Sequence, residues 1–191
     1  MKASQASYLA GFLDGDGSIH FQFVRQREYR FGYYIRASTS LSQSTQAVHG
    51  LEAIQALIGG GYLRDRGTGM SDLVVTSRPL LIDVLRQIEP HVIFKRKHVR
   101  AALGLLPDIR PGMSPEEFLN VARQVDDFAS LNYSKTKRIF AVDVEHHLRS
   151  KGFLAPVTTS LMAHQERWDF RPNGPIHKSH NTPAPRNRVK V

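Results

Sequence analysis

The chain has 191 residues, which is enough for one domain with a hydrophobic core and a tail. Its formal net charge of +9 indicates a polyanionic partner, of which nucleic acid is the simplest. Because cysteine is absent, disulfides and thiolate metal sites are excluded. The sequence also has no run of 18 apolar residues that predicts a membrane span, and the polar residues 1–7 do not predict a secretory signal peptide.

A helix is predicted over residues 5–15, with small residues on one side and large apolar residues on the other. The small side holds Ser7, Ala10, Gly11, Asp14 and Gly15, and the large side holds Tyr8, Leu9, Phe12 and Leu13. We expect the large side to pack on the domain and the small side to admit a second backbone. Asp14 and Asp16 lie at the negative end of the helix dipole, where a divalent cation would offset their charge. The simpler alternative is a pair of solvated acids before a turn.

Two alternating strands are predicted next, over residues 18–26 and about 30–42, joined by a turn at 25–29. One face of this pair is apolar and predicts a core. The other face carries hydrogen-bonding side chains and no acid: Ser18, His20, Gln22 and Gln26, then Arg30, Tyr34, Arg36, Ser38, Ser40 and Ser42. An ordinary solvated sheet face usually carries Glu and Lys together, so this one favours a nucleic-acid contact.

The remaining pattern predicts a second helix–strand–strand–helix unit and then further helices. The expected bounds are a helix at 46–57 capped by Ser44 or Thr45, strands at 61–66 and 71–76, and helices at 78–88, 94–106, 115–131 and 139–150. The helix near Lys95 begins with basic side chains, whose charge is unfavourable at the positive end of the helix dipole. This arrangement predicts an anion nearby. Arg64 and Arg66 share one face of their strand.

The resulting order of helices and strands predicts an α+β fold with one antiparallel sheet, helices on its inner face and a free outer face. We expect one domain over residues 1–151. Residues 152–191 are predicted to be a basic, proline-rich tail that is disordered or loosely docked.

Leu9–Gly17, which reads LAGFLDGDG, resembles the defining motif of the LAGLIDADG homing endonucleases. Residues 61–67, 71–72 and 131–136 are similar to the single-motif, homodimeric branch of that family, and the likeness covers roughly residues 5–150. The resemblance implies an αββαββα core whose four-stranded antiparallel sheet forms a DNA-binding saddle, followed by extra C-terminal helices.

The activity that this resemblance implies is a double-strand break in a long pseudo-palindromic DNA target, made by metal-dependent phosphodiester hydrolysis. The implied ion is Mg²⁺, with Mn²⁺ as a substitute. One motif per chain implies a homodimer, with Gly11, Phe12 and Gly15 at its interface. The resemblance also implies an intron-encoded protein of a chloroplast or mitochondrion, with no membrane and no small-molecule substrate.

Site residues follow from the same resemblance. The implied catalytic residues are Asp16, Gln43 and Lys95, with Asp16 and the Gly15 carbonyl as metal ligands and Asp14 as a structural or supporting residue. The implied DNA contacts are Gln22, Gln26, Tyr29, Tyr34, Arg36, Ser40, Arg64, Arg66, Asp72, Ser134, Lys135 and Arg138. Among these, arginine suits guanine and glutamine suits adenine. One departure is Ala47, because an arginine is expected four residues after the glutamine.

Two other functions stay open at the level of sequence. Some members of the family are intron maturases, which bind RNA to assist splicing. A decayed endonuclease that binds DNA without cutting it is the other alternative. The presence of Asp16, Gln43 and Lys95 argues against decay, and Ala47 argues weakly for it.

Overall fold

The computed structural model of the chain describes residues 1–132 and 139–155. Within these residues the helices and strands follow the predicted order. They are α1 (Ala3–Asp16), β1 (Gly17–Arg25), β2 (Tyr33–Ser44), α2 (Val48–Ile58), β3 (Tyr62–Asp65), β4 (Met70–Val75), α3 (Arg78–Ile88), α4 (Arg96–Leu105), α5 (Pro115–Ser130) and α6 (Ala141–Ser150). The predicted fold class is confirmed.

One antiparallel sheet organises the domain, with strand order β1-β2-β4-β3. Its inner face buries alternate residues, among them Phe21, Ile35 and Leu73, as a strand period of two requires. Helices cover this face; the Phe21 ring, for example, meets Phe128 of α5 edge-on with centroids 4.7 Å apart. The opposite face carries the polar residues and is left uncovered by these helices.

The loop between β1 and β2 is longer than the sequence predicts, so β2 begins at Tyr33 rather than at residue 30. The Gly32 amide donates to the Tyr29 carbonyl at 2.7 Å, and Gly32 adopts φ +69°, a conformation that favours glycine. Phe31 lies outside the strand but is still buried, because its ring packs against Phe118 and Phe153.

The predicted division of α1 into a large buried side and a small free side is correct for Leu9, Leu13, Gly11 and Gly15 but wrong for Tyr8 and Ala10. The buried stripe is Ala6, Leu9, Ala10 and Leu13, with Tyr8 65% exposed and Phe12 only partly buried. The four buried residues are spaced at i, i+3, i+4 and i+7, so they form one continuous face of a helix. Gly11 and Gly15 are exposed, as predicted, but they share the free face with two aromatic rings.

The compact unit spans Met1–Pro156. Residues 152–155, which the sequence places in the tail, belong to this unit, because the Phe153 ring packs on Phe31 with centroids 5.4 Å apart. The rest of the predicted tail lies outside the described residues. No helix in the described part of the chain has the length and apolar character needed to cross a membrane.

Candidate nucleic-acid interface and metal site

Asp14 joins the end of α1 to the start of α4. Its carboxylate accepts hydrogen bonds from the amides of Ile93 at 2.7 Å and Lys95 at 2.8 Å. Burial on its own would raise the pKa of Asp14, but bonds from the backbone of Ile93, Lys95 and Phe94 outweigh it and lower the pKa. The Asp14 carboxylate is therefore the anion that the sequence predicts near Lys95. Its role is structural, because it joins α1 to α4.

Asp16 differs from Asp14 in having no such partners. Its side chain is exposed, and no described residue bonds to its carboxylate within the domain. Lys95 lies close by, because its Nζ donates to the Asp14 carbonyl at 2.5 Å, at the negative end of the α1 dipole. Of the two acids in the motif, Asp16 is the one whose oxygens are available to a ligand.

Gln43 lies at the same end of the sheet. Gly17, the residue after α1, pairs with Leu41, and Gln43 lies two residues further along β2, towards the same end of the sheet. Its Oε1 accepts from the Ser44 amide at 2.8 Å, and the amide nitrogen has no partner among the described residues. Asp16 and Gln43 therefore lie towards one corner of the domain, where α1 passes into β1 and β2 ends, and Lys95 of the α4 start is bound to the last turn of α1.

The donor atoms at this corner fit a magnesium ion. Mg²⁺ prefers oxygen ligands and often uses only one or two carboxylates. Asp16 supplies a free carboxylate, and the carbonyls of the last helical turn, including that of Gly15, have no partner within the helix. The described residues contain no group of three or more His, Cys, Asp or Glu side chains able to hold a metal by themselves.

The outer face of β1 and β2 carries a row of polar pairs, interrupted by Val24 opposite Tyr34. Ser18 and Ser40 lie opposite each other with their hydroxyls 2.7 Å apart, and Gln22 lies opposite Arg36. Near the loop end, the Tyr34 ring stacks on Tyr29 with centroids 4.8 Å apart. Gln26 lies beyond the strand, exposed in the loop.

Arg64 and Arg66 converge on Asp72 at the β3–β4 side of the same face. Arg66 binds the carboxylate through Nε at 2.8 Å and Nη2 at 2.6 Å, Arg64 binds it through Nη2 at 2.5 Å, and Ser42 donates to it at 2.7 Å. Burial would raise the pKa of Asp72, but the bonds from Arg66, Arg64 and Ser42 outweigh it and lower the pKa to about 2.

The expectation that Asp72 itself contacts DNA is corrected by this arrangement. The side chain is 0% exposed, so its carboxylate is occupied by arginine and serine and cannot reach a base. Arg64 and Arg66 are exposed and keep further N–H groups free to point outward. Sequence reasoning missed Ser42 as a partner of Asp72, although the two lie directly opposite in the β2–β4 register.

Exposed apolar side chains surround the free face of α1. We call Tyr8, Phe12, Ile93 and Phe94 the α1 patch. Ile93 is 70% and Phe94 82% exposed, and the Ile93 amide bonds to Asp14 of α1 at 2.7 Å. Sequence reasoning missed this surface, although Ile93 and Phe94 are adjacent large apolar residues at the very start of the predicted helix, outside its apolar periodicity.

Three implied phosphate contacts, Ser134, Lys135 and Arg138, lie outside the described residues. The flanking residues do reach the polar face, because the Asn132 amide lies 3.4 Å from the Ile19 carbonyl of β1.

Comparison with known proteins agrees with this fold. A sequence model described as LAGLIDADG endonuclease matches residues 9–99. The chain is 36% identical to DNA endonuclease I-CreI of Chlamydomonas reinhardtii over 132 residues, which cover 69% of this chain and 80% of I-CreI. It is 30% identical to DNA endonuclease I-CvuI of Chlorella vulgaris over 146 residues, which cover 76% of this chain and 91% of I-CvuI.

A solved structure matches as well. The crystal structure of the homing endonuclease I-CvuI in complex with its target, in the presence of calcium, superposes with a TM-score of 0.76 at 29% identity. The match covers 80% of this chain and 97% of the I-CvuI chain. The chain therefore belongs to the LAGLIDADG endonuclease family.

Proposed function

We propose that the chain is a site-specific homing endonuclease that cuts both strands of a long pseudo-palindromic DNA target as a homodimer with Mg²⁺. The observation that carries the proposal is the contrast between the two motif acids. Asp14 is held by backbone amides, whereas Asp16 is exposed without a protein partner in the described domain. The similarity to DNA endonucleases at 30–36% identity supports the reaction class.

The proposed homodimer rests on the α1 patch and on the small residues beside it. A Cβ atom added at Gly11 or Gly15 would meet nothing within 4 Å, so the helix surface around them is open. Monomers rarely expose large contiguous apolar surfaces without a partner. Packing of two α1 helices would cover Tyr8, Phe12, Ile93 and Phe94 and place one Asp16 from each chain at the centre of the dimer.

In the proposed reaction Asp16 and the Gly15 carbonyl hold the metal ion. The ion supplies charge neutralisation of the scissile phosphate and a lowered pKa for attacking water. The free amide nitrogen of Gln43 donates to solvent at this corner and orients it. The ammonium group of Lys95, fixed on the Asp14 carbonyl, places a positive charge where negative charge develops on the phosphate.

The outer sheet face serves as the DNA-binding surface in this proposal. Arg64 and Arg66, held by Asp72, lie in its β3–β4 part, and Gln22, Tyr34, Arg36 and Ser40 lie in its β1–β2 part. Tyr29 and Gln26 in the loop contact the outer end of the half-site. Ser134, Lys135 and Arg138 bind phosphates, which gives affinity without sequence information.

The test is selection and cleavage with a plasmid library that carries inverted repeats of randomised half-sites. The wild type with Mg²⁺, or with Mn²⁺, is expected to linearise a selected subset, and Asp16→Asn is expected to lose this cleavage while still binding. Asp83→Asn, which changes an exposed carboxylate on α3, is the control and should cut normally. Unchanged cleavage by Asp16→Asn, or no cleavage by the wild type, would overturn the proposal.

Two further parts of the proposal are tested separately. Binding to structured intron RNA with no cutting of duplex DNA would favour the maturase alternative. An organelle location, proposed on the resemblance alone, is checked by fractionation of the host cell.

A further inference from the structure

Gln22 and Arg36 form a coupled pair on the outer sheet face. The two residues are directly opposite in the β1–β2 register, and both are exposed. With the Gln22 amide turned so that its oxygen faces the guanidinium, Oε1 accepts from Arg36 Nε at 2.7 Å and from Nη2 as well. The opposite orientation would press the amide NH₂ against two donors, so hydrogen bonding selects the first.

In this orientation the pair offers only hydrogen-bond donors to a DNA base. The Gln22 oxygen uses both of its lone pairs on Arg36, so it offers no acceptor to the groove. The Gln22 NH₂ remains free, and Arg36 keeps three of its five N–H groups, including those at the outer edge of the guanidinium fork. A base edge that meets this pair therefore has to supply acceptors.

Guanine is the base that supplies two adjacent acceptors in the major groove, N7 and O6. Adenine offers N7 beside the N6 donor, cytosine offers the N4 donor, and thymine offers one acceptor beside a methyl group. The sequence predicts that glutamine reads adenine and arginine reads guanine. Gln22 and Arg36 cannot do both in this arrangement, because reading adenine requires the Gln22 oxygen, which is bonded to Arg36.

We propose that Gln22 does not read adenine but positions Arg36, and that the two residues together select one guanine in each half-site. The inference rests on the proposed use of the outer sheet face to bind DNA. Gln22 is thus a positioning residue, and the outer edge of the Arg36 guanidinium makes the contact with the base.

The experiment that tests the pair is selection from a palindromic duplex library with randomised half-sites, repeated for the wild type and for four variants. The wild type should show one position with a preference for guanine of roughly tenfold or more, the scale of one bidentate contact. Gln22→Ala should weaken this preference, and Gln22→Glu should keep it, because a carboxylate also accepts from Arg36.

Arg36→Ala gives the sharpest outcome. Removal of the guanidinium frees the Gln22 oxygen, so the preference at this position should change from guanine to adenine. The proposal is overturned if the wild type selects adenine at a position that depends on Gln22, or if Gln22→Ala leaves the guanine preference unchanged. Arg86→Ala, which removes an exposed cation on α3, should leave the whole profile as it is.

A measurement without DNA separates this inference from the proposed function. In ¹⁵N NMR spectra of the free protein, the Arg36 Nε proton should exchange slowly in the wild type and Gln22→Glu, and faster in Gln22→Ala. Protection that is the same in Gln22→Ala refutes the pair even if the protein cuts DNA. Protection without any selected duplex would leave the pair intact and refute both the DNA-binding function and the guanine readout.

Discussion

At the scale of single residues, the buried hydroxyl of Thr39 lowers the stability of the core. The side chain is buried beside Leu9, Leu13 and Val75, and its Oγ1 has no hydrogen-bond partner in the described structure. Thr39→Val removes the unsatisfied group and keeps the shape, so we expect the free energy of unfolding to rise by about 1–2 kcal/mol. Urea denaturation measures this change.

The control for this prediction is Thr76→Val. Thr76 is exposed, so its substitution should change the free energy of unfolding by less than about 0.5 kcal/mol. A loss of stability in Thr39→Val would show that the hydroxyl has a partner that this structure does not contain.

Asp72 gives a prediction about pH. Its pKa falls from an ordinary 3.8 to about 2 in the folded protein, a difference worth about 2 kcal/mol. Because the folded pKa is the lower one, this contribution is complete above about pH 4 and disappears as the pH falls towards 2. Asp72→Asn should therefore be less stable than the wild type at pH 6 by about this amount.

Denaturant titrations of both proteins between pH 6 and pH 2 test the prediction, and the difference between them should shrink as the pH falls. A difference in stability that stays constant with pH would show that the arginine partners do not lower the pKa of Asp72. Asp83→Asn, on the exposed surface of α3, should show no comparable trend.

Alternation along the strands predicts which face Asp72 lies on but not how far it is buried. Its burial depends on the β3–β4 register, which places Arg64 directly opposite, and on Arg66 folding back from beyond the end of β3. These contacts join separate strands, so no pattern within one strand contains them.

At the scale of secondary-structure elements, the junction of α1 with α4 gives the two motif acids different roles: Asp14 stabilises the junction, and Asp16 does not. Asp14→Ala removes a carboxylate that two backbone amides share, and hydrogen bonds to charged groups are strong. We expect it to lower the free energy of unfolding by about 2–3 kcal/mol. Asp16→Ala removes a charge from the unfavourable end of a helix dipole, so it should leave stability unchanged or raise it.

Thermal and urea denaturation of both variants, alongside the cleavage assay, test this separation. Asp16→Ala should lose cutting with full stability, whereas Asp14→Ala should lose stability first. Equal destabilisation by the two substitutions would contradict the separate roles that the hydrogen bonds assign to these acids.

The sequence predicts the order of elements because each one has its own periodicity and its own start and stop residues. The residues Ser-Pro-Glu-Glu at 114–117, for example, have the pattern of a capping box, and in the structure the Ser114 hydroxyl accepts from the Glu117 amide at 3.1 Å. The orientation of α1 could not be predicted in the same way. Sorting by side-chain size placed Ala10 on the free side, but the surrounding elements bury Ala10 and expose Tyr8.

At the scale of the whole molecule, the α1 patch predicts the oligomeric state. Phe94 is 82% exposed, so Phe94→Glu should leave the fold of one chain intact, as its melting temperature will show. It should convert the proposed dimer into a monomer, because a charge would be buried between the two copies. Sedimentation at micromolar concentration measures the association, and cleavage of the selected target should be lost with it.

Val142→Glu is the matched control, because Val142 is 68% exposed and lies on α6, outside the α1 patch. It should sediment and cut like the wild type. A Phe94→Glu protein that still forms dimers and cuts DNA would show that the two copies meet through another surface.

The single free carboxylate at the end of α1 has a consequence for how activity depends on the concentration of the chain. If each cutting centre needs one Asp16 from each of two chains, the number of complete centres at scarce expression follows the square of the chain concentration. Halving the supply of chain then leaves about a quarter of the centres. Dilution alone would then reduce cleavage more steeply than it reduces the amount of chain.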